Sequence, residues 1–297
     1  MIENTKDIDE LIRNILNLEK NNKINISLLG GMTNTNYLIF IDNKEMVLRI
    51  PGKATENFIN RYNEKTNSEL MSSLGINVNV LYFDHHTGIK ITEYIKNSSA
   101  LSPKTAKSKD NILLISHKLS ELHKSDFKFN NHFNVFNEFN HYWSLLKNKI
   151  IPYSFEQKEE VIQFFLQSEE ILNTLGIECC PCHNDLVAEN ILKFDDNIYI
   201  IDWEYSGMND PMFDIAALFL ECNYSPEEQI EFLSNYFKEK IDANTLKKII
   251  LFQFTQDVLW TIWTMVKEEN GENFGNYGIN RLMRAYKTMQ TYKLNYA

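Results

Sequence analysis

The segment His183-Asn184-Asp185-Leu186-Val187-Ala188-Glu189-Asn190 has the form H-x-D-x-x-x-x-N, and Ile200-Ile201-Asp202-Trp203-Glu204 follows as an aliphatic run ending in an acid. These residue types, in this order, suit transfer of the γ-phosphoryl group of ATP. That chemistry needs a carboxylate to orient the attacking hydroxyl and accept its proton. It also needs oxygen ligands that hold Mg²⁺ against the phosphates. Asp185 suits the first role. Asn190 and Asp202 suit the second, because Mg²⁺ prefers hard oxygen donors and completes its shell with phosphate and water. The H-x-D-x-x-x-x-N spacing alone is moderately specific. The apolar run Ile198 to Ile201, which delivers Asp202 shortly after Asn190, adds the context of a strand pair flanking a catalytic loop.

The elements around these groups read as a strand-rich part followed by a helical part. Apolar residues at 8, 11, 12, 15, 16 and 18 have helical spacing. Ile24 to Leu29 and Tyr37 to Ile41 read as strands around Gly30-Gly31-Met32-Thr33-Asn34-Thr35-Asn36. Met46 to Ile50 is a third strand, ended by Pro51-Gly52. Ile59 to Leu74 reads as a helix, and Val78 to Phe83 with Gly88 to Ile95 as a hairpin. From Pro103 onward the pattern predicts helices over about 104–123, 131–147, 156–175, 212–222, 226–238, 243–268 and 275–292. The expected division is a lobe over residues 1–95 and a larger one over 96–297.

Composition narrows the function classes. The chain has 297 residues, 43% hydrophobic and 24% charged, with a net charge of −10. The acidic balance argues against a general nucleic-acid binder and is compatible with a cationic substrate. Residues 1–10 hold four acids and one lysine, unlike a secretory leader. The most apolar stretch, Ile249 to Val266, is interrupted by Gln253, Gln256 and Asp257 and reads as a buried helix with no membrane span expected. Cys179, Cys180, Cys182 and Cys222 lack a second cluster at zinc spacing, so they are expected to be buried, reduced thiols of a cytoplasmic protein.

The order of glycine turn, basic strand, acidic helix, H-x-D-x-x-x-x-N and aliphatic-Asp resembles the aminoglycoside phosphotransferase and choline kinase branch of the protein-kinase-like fold. The closer resemblance is to choline/ethanolamine kinases, bacterial choline kinases in particular. Gly30-Gly31-Met32-Thr33-Asn34 resembles their phosphate loop, and residues 183–192 their catalytic loop. Ile201-Asp202-Trp203-Glu204-Tyr205-Ser206-Gly207-Met208-Asn209-Asp210-Pro211-Met212-Phe213-Asp214 resembles their second signature nearly throughout. Trp260-Thr261-Ile262-Trp263 resembles the aromatic pair of their choline pocket. The resemblance implies an α+β, two-lobed, protein-kinase-like fold with a small β-rich amino-terminal lobe and a larger helical carboxy-terminal lobe. The phosphate loop lacks a full G-x-G-x-x-G and the strand base is Arg49 instead of lysine, features this branch shares.

Roles for further residues follow. The Gly30-Gly31 turn permits positive φ and close backbone approach, leaving amides free for phosphate, with Thr33 and Asn34 adding polar side chains. Arg49 ends a strand where it can hold phosphates, and Glu64 on the next helix can fix it, with Glu56 and Glu69 as competing partners. The resemblance makes Glu93 and Ile95 the hinge that reads adenine, His183 a scaffold for the loop backbone, His123 structural, and Asp214 the buried acid tying the loop to the next helix. Glu204, two residues after the metal-binding acid, adds to the metal shell, orients substrate or is a surface acid. Asp257, Trp260 and Trp263 fall within about 120° on one helix face. Two tryptophans on an apolar helix are usually core. A quaternary ammonium, however, is held by aromatic faces at roughly 0.5–2 kcal/mol each, with carboxylates supplying field. Trp260, Trp263 and Tyr277 are the candidate walls, and Glu221 and Asp257 the candidate carboxylates. The expected reaction is ATP- and Mg²⁺-dependent phosphorylation of choline. The alternatives are ethanolamine, aminoglycoside or thiamine phosphorylation, or an inactive nucleotide- or choline-binding regulator.

Overall fold

A computed structural model describes residues 5–31, 33–52, 55–238 and 240–296, so Met32 of the glycine turn lies outside the described residues. In chain order the first elements are α1 (Thr5–Leu16), β1 (Ile24–Gly30), β2 (Thr35–Ile41), β3 (Lys44–Ile50), α2 (Arg61–Ser73), β4 (Val80–Phe83), β5 (Lys90–Glu93) and β6 (Ser99–Ala100). Then come α3 (Lys109–His123), α4 (Val135–Leu145), α5 (Lys158–Leu175), β7 (Cys180–Cys182), β8 (Ile191–Phe194), β9 (Asn197–Ile200) and β10 (Gly207–Asn209). Four helices follow, α6 (Pro211–Glu221), α7 (Pro226–Phe237), α8 (Ala243–Glu269) and α9 (Tyr277–Tyr296). The chain forms two compact units. The first comprises Met1–Ala100 and Ile191–Glu204, the second Leu101–Asn190 and Tyr205–Ala297.

The first unit is built on an antiparallel five-stranded sheet in the order β1-β2-β3-β5-β4. Asp42 and Asn43, at φ +48° and +68°, make the β2–β3 turn, the backbone that a two-residue hairpin needs and that Asp and Asn tolerate. Alternation along the strands sends Ile39, Leu48 and Ile91 inward against Ile8 and Ile12 of α1. Helix α2 starts at Asn60, whose side chain accepts from the amides of Tyr62 and Asn63. A second sheet, β6-β8-β9, belongs to this unit, although the chain leaves it for 90 residues between Ala100 and Ile191.

The second unit is helical. Helix α8 runs for 27 residues and packs against α4, α5, α6 and α9. It is long and apolar enough to cross a membrane, yet 89% of its apolar window is buried inside the protein. Asp210 caps α6 with Pro211 in its first turn, and Ser225 with Glu228 forms a capping box on α7.

Some sequence expectations shift for local reasons. The helix expected over 104–123 is split, because Ser108 adopts extended backbone and caps α3 through the Asn111 amide. The helix expected from 131 starts only at Val135, since the Phe133 amide donates to the Met208 carbonyl and His132 bridges Met208. Of the cysteines, Cys182 and Cys222 are buried, but Cys180 is half-buried and Cys179 is exposed, just ahead of β7.

Candidate functional site

In the first unit the glycine turn sits between β1 and β2. Gly30 and Gly31 have φ of +103° and +142°, and a Cβ on Gly31 would lie 1.9 Å from the Asn34 carbonyl oxygen. Only glycine fits there. Thr33 is half-buried and Asn34 is buried. The Asn34 Nδ2 donates to Glu204 Oε2 at 3.1 Å, while its buried Oδ1 has no hydrogen-bond partner among the described residues.

Beside this turn lies a buried ionic cluster. Arg49 of β3 stands opposite Lys90 of β5 in the ladder, which places two cations side by side. Both lie over the Phe83 ring, at 5.5 and 5.4 Å from its centroid. Glu64 of α2, 1% exposed, answers them. It accepts from both terminal nitrogens of Arg49, from Arg61 Nη1 at 2.6 Å and from Lys90 Nζ at 3.1 Å. Burial alone would raise the Glu64 carboxyl, but Arg49, Lys90 and Arg61 outweigh it and hold the group far below the usual carboxylate range. Glu64 is therefore the partner of Arg49, and Glu69 pairs instead with Lys65 at 3.9 Å. The side chain of Glu56 lies outside the described residues.

Two basic residues of this cluster escape a reading of the sequence. Arg61 also donates to Glu204 Oε2 at 3.1 Å and to Thr55 Oγ1 at 2.8 Å, so it ties the start of α2 to two loops. Lys90 is buried, and its ammonium is pushed down by burial and by Arg49. Neither has a sequence signal beyond being a base near a strand or helix end.

Asp202 follows β9 at φ +66°, a conformation that Asp tolerates and that recurs at functional positions. Its side chain is 32% exposed and meets Arg49 Nη1 at 3.3 Å. Burial, together with the charges of Asp202 and Glu64, pushes the Glu204 carboxyl up to about 7. Glu64, Asp202 and Glu204 each bring an oxygen within 4.8 Å of the others. Glu64 is committed to three cations. Glu204 Oε2 already accepts from Asn34 and Arg61, so Asp202, 32% exposed, is the most open carboxylate of the three, and its hard oxygens fit a dication such as Mg²⁺. Glu93 and Ile95 stand at and beyond the end of β5. The Glu93 amide donates to Asn79 O and the Ile95 carbonyl accepts from the Ser98 amide.

In the second unit, β7 leads into the loop that carries Asp185. Asp214, fully buried on α6, accepts from the His183 amide at 2.8 Å and the Asn184 amide at 2.7 Å, and bonds His123 Nε2 at 3.1 Å. Asn184 takes φ +66°, a turn this tether stabilises. His183 Nδ1 accepts from the Asp185 amide at 3.3 Å, so the histidine supports the loop backbone. The Asn190 Nδ2 donates to the Asp185 carbonyl at 3.1 Å, which leaves its Oδ1 as the atom to face a cation.

The same unit holds a chain of aromatic rings. Tyr205 meets Trp260 edge-on at 5.2 Å between centroids, Trp260 meets Trp263 at 6.2 Å, Trp263 meets Phe274 at 5.1 Å, and Phe274 meets Tyr277 at 6.5 Å. Lys267 lies over Trp263 and Arg281 over Tyr277, at 5.5 and 4.7 Å. Burial pushes the Tyr277 phenol up, with Arg281 opposing and Glu221 and Asp185 adding to it. Glu221 and Asp257 are together, but not open. Arg281 and Arg284 donate to both of them. Tyr205 and Phe274 were not among the aromatic walls expected from the sequence.

Comparison with known proteins gives this arrangement a family. The profile of choline/ethanolamine kinases matches residues 25–287. Protein LicA of Haemophilus influenzae is 40% identical over 274 residues, covering 90% of this chain and 80% of that protein. The crystal structure of choline kinase LicA from Streptococcus pneumoniae superposes with a TM-score of 0.85 at 38% identity, covering 96% of this chain and 99% of that one. Ethanolamine kinase 2 of Rattus norvegicus is more distant, 26% identical with 86% of this chain and 74% of that protein covered. With the profile spanning residues 25–287 and a relative 40% identical over 90% of this chain, the chain belongs to the choline/ethanolamine kinase family.

Proposed function

We propose that this protein is a choline kinase, transferring the γ-phosphoryl group of ATP to the hydroxyl of choline and releasing phosphocholine and ADP. The observation that carries the reading is the run of rings from Tyr205 through Trp260 and Trp263 to Tyr277, in the same unit as Asp185. A trimethylammonium group donates no hydrogen bonds and carries diffuse charge, so aromatic faces suit it. The primary ammonium of ethanolamine is strongly hydrated and loses more in such a lining.

Asp185 orients the choline hydroxyl and accepts its proton as the oxygen forms a bond to the γ-phosphorus and the bond to the ADP oxygen breaks. Arg49, held by Glu64, contacts the α- and β-phosphates. Gly31, Thr33 and Asn34 supply the turn that faces the phosphates, and the backbone of Glu93 and Ile95 meets adenine. Asn190 and Asp202 would hold Mg²⁺, with Glu204 adjoining. When bound, Mg²⁺ neutralises charge on the phosphate oxygens. Glu221 and Asp257 act through Arg281, which they hold against Tyr277, and Trp260 and Trp263 are the other aromatic walls. On this reading the nucleotide side is contributed by residues 1–95 with Asp202 and Glu204, and the acceptor side by the remainder. The cytoplasm, where ATP is abundant, is the proposed location.

The test is an ADP-release assay with Mg-ATP over choline, ethanolamine, thiamine and kanamycin. We expect kcat/KM for choline to exceed that for ethanolamine at least about tenfold, or about 1.4 kcal/mol of differential transition-state binding. Trp260→Ala should erode that preference with ATP affinity nearly intact. Equal or better turnover of ethanolamine by the wild-type protein would reject the aromatic reading.

A further inference from the structure

Glu221 ends α6 and Asp257 lies midway along α8, one helical turn before Trp260. On the choline kinase reading the rings line the acceptor site, and two carboxylates beside them are what a primary ammonium would seek, since it brings three N–H donors. In this protein their oxygens are already taken. Arg281 Nη1 and Nη2 donate to Glu221 Oε1 and Oε2 at 2.6 and 3.0 Å. Arg281 Nη1 also reaches Asp257 Oδ1 at 3.0 Å. Arg284 donates through Nε to Asp257 Oδ2 at 2.8 Å and through Nη2 to Asp257 Oδ1 at 2.7 Å and Glu221 Oε1 at 3.0 Å. All four carboxylate oxygens therefore accept from guanidinium nitrogens. Two negative charges meet two positive ones, so the cluster is neutral as a whole. Arg281 also stacks on Tyr277 and donates to its hydroxyl, which takes up the polar end of that wall.

We propose that Arg281 and Arg284 are specificity-determining residues, which favour a quaternary over a primary ammonium by occupying the carboxylate oxygens of Glu221 and Asp257. The inference rests on the choline kinase reading and deepens it. A trimethylammonium group needs no acceptor and loses nothing when the acceptors are taken. A primary ammonium that gives up its water finds no replacement, and an unmade hydrogen bond on a desolvated donor is costly. Aromatic rings alone accommodate choline. Rings together with guanidinium-locked acids also exclude ethanolamine, which is discrimination by an element set against the competitor.

Arg284 is the residue to change, because its side chain is 37% exposed whereas that of Arg281 is 7% exposed. The assay is kcat/KM for choline and for ethanolamine at saturating Mg-ATP, and the readout is their ratio, which a general loss of structure would not move in one direction. Arg284→Gln leaves two carboxylates to one guanidinium. The ethanolamine-to-choline ratio should rise at least about fivefold, equivalent to ~1 kcal/mol. Arg284→Lys keeps the charge but replaces a fork by a single nitrogen, which vacates Asp257 Oδ2. It should fold even if the glutamine variant does not, and the ratio should rise at least about twofold, equivalent to ~0.4 kcal/mol. Adding Asp257→Asn to Arg284→Gln rebalances the charge and should return the ratio toward wild type. An unchanged ratio in the folded Arg284 variants, with choline still turned over, overturns the arginine role and leaves the choline kinase reading standing. A double variant that keeps the raised ratio also overturns it. Wild-type protein that phosphorylates neither amino alcohol, or that prefers ethanolamine, removes the functional reading itself.

Discussion

Glu64→Gln removes the single carboxylate on which the buried cations of the first unit converge. Glutamine keeps one acceptor oxygen, loses the charge and turns an amide toward a guanidinium. Among the described residues Arg49 would then keep Asp202 and Arg61 would keep Glu204, while Lys90, 7% exposed, would lose the carboxylate it donates to. Breaking a buried ion pair by deleting one partner costs about 3–5 kcal/mol. Arg61 keeps Glu204 and Arg49 keeps Asp202, which offsets part of the loss. The expected destabilisation is about 3–4 kcal/mol. Glu69→Gln, on the same helix, is the control, because Glu69 is 46% exposed and meets Lys65 only at 3.9 Å. Such a pair is worth less than about 0.5 kcal/mol. Urea-dependent hydrogen exchange of the β3 and β5 amides reads the first unit separately from the second. The Glu64 variant should also raise the KM for ATP, since Arg49 is no longer held in place. A Glu64→Gln loss within about 1 kcal/mol of the control would refute the claim that these cations depend on one carboxylate.

Asp185→Asn should lower kcat at least about 10²-fold with nucleotide affinity within a few-fold, measured by steady-state kinetics and nucleotide titration. Asp214→Asn offers one acceptor where the His183 and Asn184 amides use two carboxylate oxygens, so one buried N–H is stranded at about 1–3 kcal/mol. Thermal unfolding should register that loss, and kcat should fall more than KM for choline rises. The Glu204 carboxyl is raised from 4.5 to about 7 in the folded protein, so its contribution to stability is present below about pH 4.5 and is lost as pH rises through about 7. Glu204→Gln should flatten the fall in urea midpoint across that range in metal-free buffer, and an unaltered slope would count against the buried acid as its cause.

What the sequence made legible was local. The Gly30-Gly31 turn, β3 with Arg49 next to its last residue, and the Asp185 and Asp202 motifs are set by runs of a few residues, and their patterns can be read directly. Glu64 was reachable because it is the acid in the first turn of the helix that follows β3. Arg61 and Lys90 were not, because a base at a helix start or strand end looks the same whether buried or solvated. Only the pairing of Arg49 with Lys90 across the ladder shows that both cations face Glu64. β6, β7 and β10 are two or three residues long, too short for an alternation to register. Glu221 and Asp257 were legible as acids, but their locked state was not, since Arg281 and Arg284 lie 24 to 63 residues away in sequence.

The return of Ile191–Glu204 to the first unit bears on how the protein is made. On the ribosome, Met1–Ala100 emerges well before its missing strands. β6 waits for Leu192 and Lys193 to pair with it, and the Ile76 carbonyl waits for the Ile200 amide. At synthesis rates of roughly 5–20 residues per second, the intervening stretch takes on the order of 5–20 s. During that interval the nascent chain has Arg49, Arg61, Lys90 and Glu64 but neither Asp202 nor Glu204, so the ionic cluster carries an excess of positive charge. A fragment cut after Ala100 would freeze that half-made state, and a nucleotide-binding module excised by a linear boundary would lack the acids that complete it.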